Sequence, residues 1–141
     1  MIFGYTTGVF DMFHVGHLRV LERAKANCDR LIVGITTDEL SMERKGKLPI
    51  VPFDERREIV SALRCVDITV PQTTMNKRVA WESLRFDKMF VGDDWRGTDA
   101  WNALEEEFRA LGVEIVYFPY TQTTSSSKLR TTLDGLHGAG A

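Results

Sequence analysis

Two histidines three residues apart, His14 and His17, form the pair in this chain whose type and spacing most directly suggest chemistry. They close the run Gly8-Val9-Phe10-Asp11-Met12-Phe13-His14-Val15-Gly16-His17, which lies between a short apolar segment and a stretch of helical periodicity. A strand that hands over to a helix there presents unpaired N–H groups and the positive end of the helix dipole, an arrangement that favours phosphate. Gly16 lets a ligand approach the backbone closely. A spacing of three puts both imidazoles on one side of a helical turn, where they can donate hydrogen bonds to phosphate oxygens. The same two residues can serve as capping or core histidines, or as a metal pair. No other His or Cys is suitably placed to complete a zinc site, since His137 lies close to the C-terminus, so metal is the weakest of the three options.

The elements that must position this pair follow from hydrophobic periodicity. Apolar runs predict strands over 2–6, 31–35, 66–70, 88–91 and 113–118. Val15, Leu18, Leu21, Ala24 and Cys28 recur at helical spacing, and Thr36, Thr37 or Asp38 can cap a short helix after the second strand. Residues 43–49 are basic and contain Gly46 and Pro49, which predicts a mobile loop. Asp54 is the expected cap of a third helix with Ile59, Val60 and Leu63 inward and Arg56, Arg57 and Arg64 projecting elsewhere. A fourth helix is expected over 76–85 with Val79, Ala80 and Leu84 inward. A fifth starts at Thr98 or Asp99 and is stopped by Gly112, and a last one spans 128–136. Strands alternating with helices predict an α/β fold with a five-stranded, mainly parallel sheet. Ligands of such sheets sit beyond the C-terminal strand ends where the strand order reverses. The turn after the first strand, residues 92–95 and residues 121–127 all follow strands and are expected to converge there.

Bulk properties narrow the function. The 141 residues fit one domain, expected over 1–134 with a frayed, flexible tail at 135–141. Eighteen Lys and Arg against 20 Asp and Glu give a formal net charge of −2, which leaves no general basic surface for nucleic acid, so any cationic site is local. Cys28 and Cys65 lack metal-ligand spacing and fit two small buried residues of a reduced cytoplasmic chain. No apolar stretch reaches the ~18 residues of a membrane span, so no membrane partner is expected.

The run 8–17 resembles the signature of the cytidylyltransferase family, whose HxGH pattern is shared with other nucleotidyltransferases and class I aminoacyl-tRNA synthetases. Arg64-Cys65-Val66-Asp67, Val91-Gly92-Asp93-Asp94-Trp95 and Ser125-Ser126-Ser127-Lys128 resemble further family motifs in the same order and at similar separations. The branch acting on glycerol 3-phosphate is the nearest. The resemblance implies a single-domain, Rossmann-like three-layer fold and transfer of CMP from CTP to a phosphorylated alcohol. The acceptor phosphate attacks the α-phosphorus in line and pyrophosphate leaves. It also implies Mg2+ carried with CTP and a homodimer packed near Arg64.

By the same resemblance His14 and His17 stabilise the transition state at the α-phosphate. Lys47 or Lys45 comes from the loop to neutralise the α-phosphate and the acceptor phosphate, and Arg56, whose fork suits phosphate oxygens, joins them on the acceptor. Gly8, Val9, Phe10, Gly16 and Arg64 contact CTP, and Asp94 and Trp95 line the cytidine pocket. Ser125, Ser126 and Ser127 hold the β- and γ-phosphates at a helix N-terminus, Ser126 with a catalytic role and Tyr120 beside them. Asp11 is either structural or near the magnesium ion. Members of the glycerol 3-phosphate branch read Arg-Thr-x-Gly-Ile-Ser-Thr-Thr before the last helix. Here Tyr120 replaces the arginine and Thr123 the glycine, which opens the acceptor to phosphocholine, phosphoethanolamine or another polyol phosphate. Adenylyl transfer and a non-catalytic nucleotide-sensing module are the remaining alternatives.

Overall fold

The computed structural model describes residues 1–119 and 132–133. The elements run β1 (Phe3–Gly8), α1 (Val15–Ala26), β2 (Arg30–Thr36), α2 (Asp38–Lys45), α3 (Phe53–Ser61), β3 (Ile68–Gln72), α4 (Lys77–Leu84), β4 (Lys88–Gly92), a 3-10 turn (Asp93–Trp95), α5 (Asp99–Ala110) and β5 (Glu114–Phe118). The strands form one sheet in the order β3-β2-β1-β4-β5, with every neighbouring pair parallel. From β1 the chain moves outward through β2 to β3, then returns to lay β4 on the other side of β1. The switch point is therefore between β1 and β4, as expected for an open sheet that binds ligands at its C-terminal edge.

Alternation along the strands sorts the core into two layers. Leu31, Val33 and Ile35 of β2 pack with Leu21 and Ala24 of α1 and Val60 of α3, while Tyr5, Ile32 and Met89 pack with Phe86 and Phe108 on the side of α4 and α5. Helices on both faces make this a three-layer, Rossmann-like α/β fold. Each fully buried Leu or Phe in these layers contributes ~1.5–3 kcal/mol relative to exposure.

Several local expectations are corrected. The basic segment is not loop throughout: α2 carries it to Lys45, with Thr37 capping Leu40 N at 3.1 Å and Gly46 ending the helix in the left-handed region at φ 71°. Pro52, not Asp54, precedes α3, and Asp54 falls in its first turn. Ile59 and Val79 are 44% and 48% exposed, so the inner faces rest on Val60 and on Ala80 and Leu84. β3 includes Pro71, which an edge strand tolerates because only one side of its backbone is paired. Cys28 and Cys65 are half-buried free thiols, both pushed up in pKa by burial. No helix among the described residues is long and apolar enough to cross a membrane. Of the helix expected over 128–136 only residues 132–133 are described, and the tail expected at 135–141 lies outside the described residues.

Candidate active site

The loop leaving β1 is wound tightly, and two side chains, Arg56 and Asp11, hold it. Phe10 and Met12 adopt positive φ, 54° and 49°, a region uncommon for non-glycine residues that costs on the order of 1–3 kcal/mol each. A Cβ on Gly8 would lie 2.9 Å from the Phe10 ring, so the turn needs glycine there. Arg56, 1% exposed, donates to Val9 O at 2.7 Å, Thr36 O at 2.7 Å, Val51 O at 2.8 Å and Asp38 Oδ1 at 2.6 Å. Asp11, 5% exposed, accepts from Ile50 N and Val51 N, both at 2.8 Å, and so ties the β1 loop to the segment before α3. The strain is thereby over-determined by its surroundings.

The loop ends in a capping box built from the two histidines. His14 is the N-cap of α1 in extended conformation, its Nδ1 accepting from Gly16 N at 3.0 Å; His17 Nδ1 accepts from His14 N at 3.2 Å. Backbone N–H groups can only donate, so both Nδ1 atoms are unprotonated and each neutral ring carries its proton on Nε2. The rings stack at 4.0 Å between centroids and 29°. Burial, then the neighbouring His14, pushes the pKa of His17 down to about 4 against an opposing pull from Asp11, and burial lowers His14 as well. Both are therefore neutral Nε2–H donors near neutral pH. His14 Nε2 is buried and makes no hydrogen bond with any described residue, as expected of a donor that a ligand completes. At His14 the capping and phosphate roles are thus compatible: Nδ1 caps the helix while Nε2 has no partner among the described residues. Among the described residues no group of three or more His, Cys, Asp or Glu is arranged to hold a metal ion.

These rings line a cavity of about 570 Å3 at the switch point. Gly8, Val9, Phe10 and Gly16 line its floor with the two histidines; Lys45 and Lys47 reach it from the end of α2, and Asp94 and Trp95 from the turn after β4. Trp95 is 62% exposed at the rim. Two expected contacts are not there. Arg56 cannot meet an acceptor phosphate because its guanidinium is buried among the carbonyls it supports. Arg64 is exposed and borders a separate shallow concavity with Leu18, Glu22 and Cys65, not the main cavity. Its neighbour Asp67 instead accepts from Lys25 at 2.6 Å, Arg30 at 3.2 Å and Leu31 N at 2.8 Å, pinning β2. Tyr120, Thr123, Ser125, Ser126 and Ser127 lie outside the described residues. Sequence reasoning missed Lys77 and Trp101, which also line the cavity. Lys77 follows the cap Asn76 just beyond β3, so the rule that singled out the first loop applies to it as well.

A doubly wound parallel sheet with a helix N-terminus, paired neutral imidazole donors and lysines at its switch point defines a protein that handles nucleotide phosphates. The chain belongs to the cytidylyltransferase-like family, whose model matches residues 5–133, and its class is that of the nucleotidyltransferase enzymes. It is 32% identical over 138 residues to a glycerol-3-phosphate cytidylyltransferase of Bacillus subtilis (strain 168), covering 93% of this chain and 96% of that one. An FAD synthase of Pyrococcus abyssi is 35% identical over 124 residues, covering 86% and 82%. Among solved structures, the lipopolysaccharide core biosynthesis protein from Thermoplasma volcanium GSS1 superposes with a TM-score of 0.71 at 26% identity, covering 88% of this chain and 99% of that one.

Proposed function

We propose that the protein transfers CMP from CTP to glycerol 3-phosphate, releasing pyrophosphate and forming CDP-glycerol. The observation that carries this reading is the stacked pair of Nε2–H donors at the switch point, one of them buried and without a partner among the described residues. A phosphate oxygen of the acceptor attacks the α-phosphorus, the new P–O bond forms in line with the bond to the β-phosphate, and that bond breaks as pyrophosphate leaves. No enzyme nucleophile takes part. His14 and His17 hydrogen-bond the non-bridging oxygens as charge shifts onto them, and Lys45 and Lys47 supply fixed positive charge, so catalysis rests on positioning and preorganised electrostatics. Asp94 and Trp95 hold the nucleoside on the β4 side.

Magnesium belongs to the substrate in this scheme and enters with the triphosphate of CTP. Asp11 is engaged by two backbone amides and is read here as structural. The choice of glycerol 3-phosphate is supported by the Bacillus subtilis relative, which matches along nearly its whole length. The Pyrococcus abyssi FAD synthase, matched at similar identity, supports adenylyl transfer as a second reading. The test pairs CTP or ATP with glycerol 3-phosphate, phosphocholine and phosphoethanolamine and measures pyrophosphate release with magnesium present. Release confined to CTP with glycerol 3-phosphate is expected; release with ATP alone refutes the cytidylyl reading, and CTP binding with no release for any acceptor favours a sensing module. The proposed enzyme is a cytoplasmic homodimer, and a monomeric mass in solution at working concentration contradicts its dimeric state.

A further inference from the structure

The segment after α2 brings Lys47 to the cavity, although every residue from Met42 to Leu48 is exposed and little apolar packing fixes its course. Ser41 lines the same cavity from the buried side of α2. Resting on the transferase reading above, we infer that Ser41 is a positioning residue: its hydroxyl holds the backbone at Lys47, so that the lysine is in place at the cavity before substrate arrives.

Ser41 sits in the middle of α2 and is 4% exposed. Serine is a poor residue for a helix interior, where its hydroxyl usually bonds the carbonyl one turn back or water. Ser41 Oγ instead reaches forward, past the end of the helix, and donates to Lys47 O at 3.3 Å. The chain can return to it because Gly46 turns in the left-handed region, its N–H closing on Met42 O at 2.9 Å. The far end of the segment is tied by Asp11, which accepts from Ile50 N and Val51 N. Between these anchors lie Leu48 and Pro49, and the proline ring fixes its own φ and restricts Leu48 as well. A stretch with the composition of a mobile loop is thus fastened at both ends, at one of them by a single hydroxyl. The Lys47 ammonium has no hydrogen bond or ion pair with any described residue, so the backbone is what aims it. A lysine on a loose loop must be ordered each time substrate binds; one whose backbone is already placed loses that freedom on folding instead.

The test is a double-mutant cycle over wild type, Ser41→Ala, Lys47→Met and the double variant, read by pyrophosphate release from CTP or ATP with glycerol 3-phosphate. Alanine suits a helix better than serine, so Ser41→Ala is expected to keep its Tm within ~3 °C of wild type. Ser41→Ala alone is expected to lower kcat about three- to tenfold, the loss of one neutral hydrogen bond, while the CTP KM changes by less than about twofold. In the Lys47→Met background the same substitution is expected to change kcat by less than about twofold, because a residue that acts through Lys47 then has nothing to position. Equal losses in both backgrounds, or a loss that falls on the CTP KM alone, overturn the assignment. Trypsin gives a readout independent of turnover: cleavage after Lys47 is expected to run about three- to tenfold faster in Ser41→Ala, following the population of the released segment, with cleavage elsewhere in the chain unchanged. An unchanged rate after Lys47 overturns the anchor whatever the protein catalyses. Faster cleavage there, with no pyrophosphate released by wild type from either triphosphate, upholds the anchor and overturns the transferase.

Discussion

Replacing Arg56 with Met separates a phosphate ligand from a structural strut. The guanidinium is 0% exposed in its ion pair with Asp38 and donates to three backbone carbonyls besides. Methionine keeps much of the length and leaves Val9 O, Thr36 O and Val51 O without their donor, along with one oxygen of Asp38. Each orphaned buried acceptor costs ~1–3 kcal/mol. The sum overstates the effect, because the substitution also removes the desolvation cost of the cation and Asp38 is 32% exposed to water. A net loss of ~3–5 kcal/mol is expected, as for the breaking of a buried pair. For a chain of this size that is a fall of roughly 10–15 °C in Tm. Urea and thermal denaturation followed by circular dichroism measure it. The Val9 carbonyl lies in the loop that carries the strained Phe10, so affinity for both substrates should fall along with stability. If Arg56→Met keeps its stability within ~1 kcal/mol and raises only the acceptor KM, the strut assignment is wrong and Arg56 binds phosphate after all.

Other substitutions probe the site directly. His14→Ala and His17→Ala should each lower kcat by ~100- to 1000-fold, the effect of removing one donor to a developing oxyanion, in steady-state pyrophosphate release; loss of stability in proportion to loss of activity refutes that role. The low pKa of His17 links folding to pH: the unfolded chain takes up the proton near 6.5 and the native one only near about 4. Between those values the unfolded state binds more protons, so stability is constant above about pH 6.5 and declines as pH falls toward about 4. His17→Gln should flatten that decline in urea midpoints, and an unchanged slope counts against it. Trp95→Ala should leave Tm unaltered, since the indole is 62% exposed, and raise the CTP KM about two- to tenfold if the ring packs on the base. An unchanged CTP KM removes Trp95 from the nucleotide pocket.

Much of the fold was legible because its signals are local. The β1 loop, the helix after it and the strand ends at Gly92 and Phe118 are marked by periodicity and by turn residues close at hand. The errors came where burial depends on distant partners. Ile59 and Val79 have the composition of an inner face, yet solvent reaches them because Val60, Ala80 and Leu84 already fill the contact with the sheet. Basic residues suggested loop over 43–49, but Thr37 and Gly46 supply the caps that extend α2 to Lys45. Pro71 marked a strand end in sequence, whereas an edge position lets the strand continue through it.

For the site, the sequence by itself determined the placement of the central pair. Two imidazoles, a glycine and a helix start occur within a few residues, so their relation is set by local geometry. Tertiary structure alone decided which cations reach the cavity beside it. Arg56, Arg64, Lys47 and Lys77 are all plausible phosphate ligands by type. Long-range packing commits Arg56 to carbonyls of three different segments, turns Arg64 away from the cavity, and brings Lys77 into it from beyond β3. A charged side chain either serves the fold or remains available to a ligand according to the partners it meets, and those partners are brought to it by the closing of the sheet.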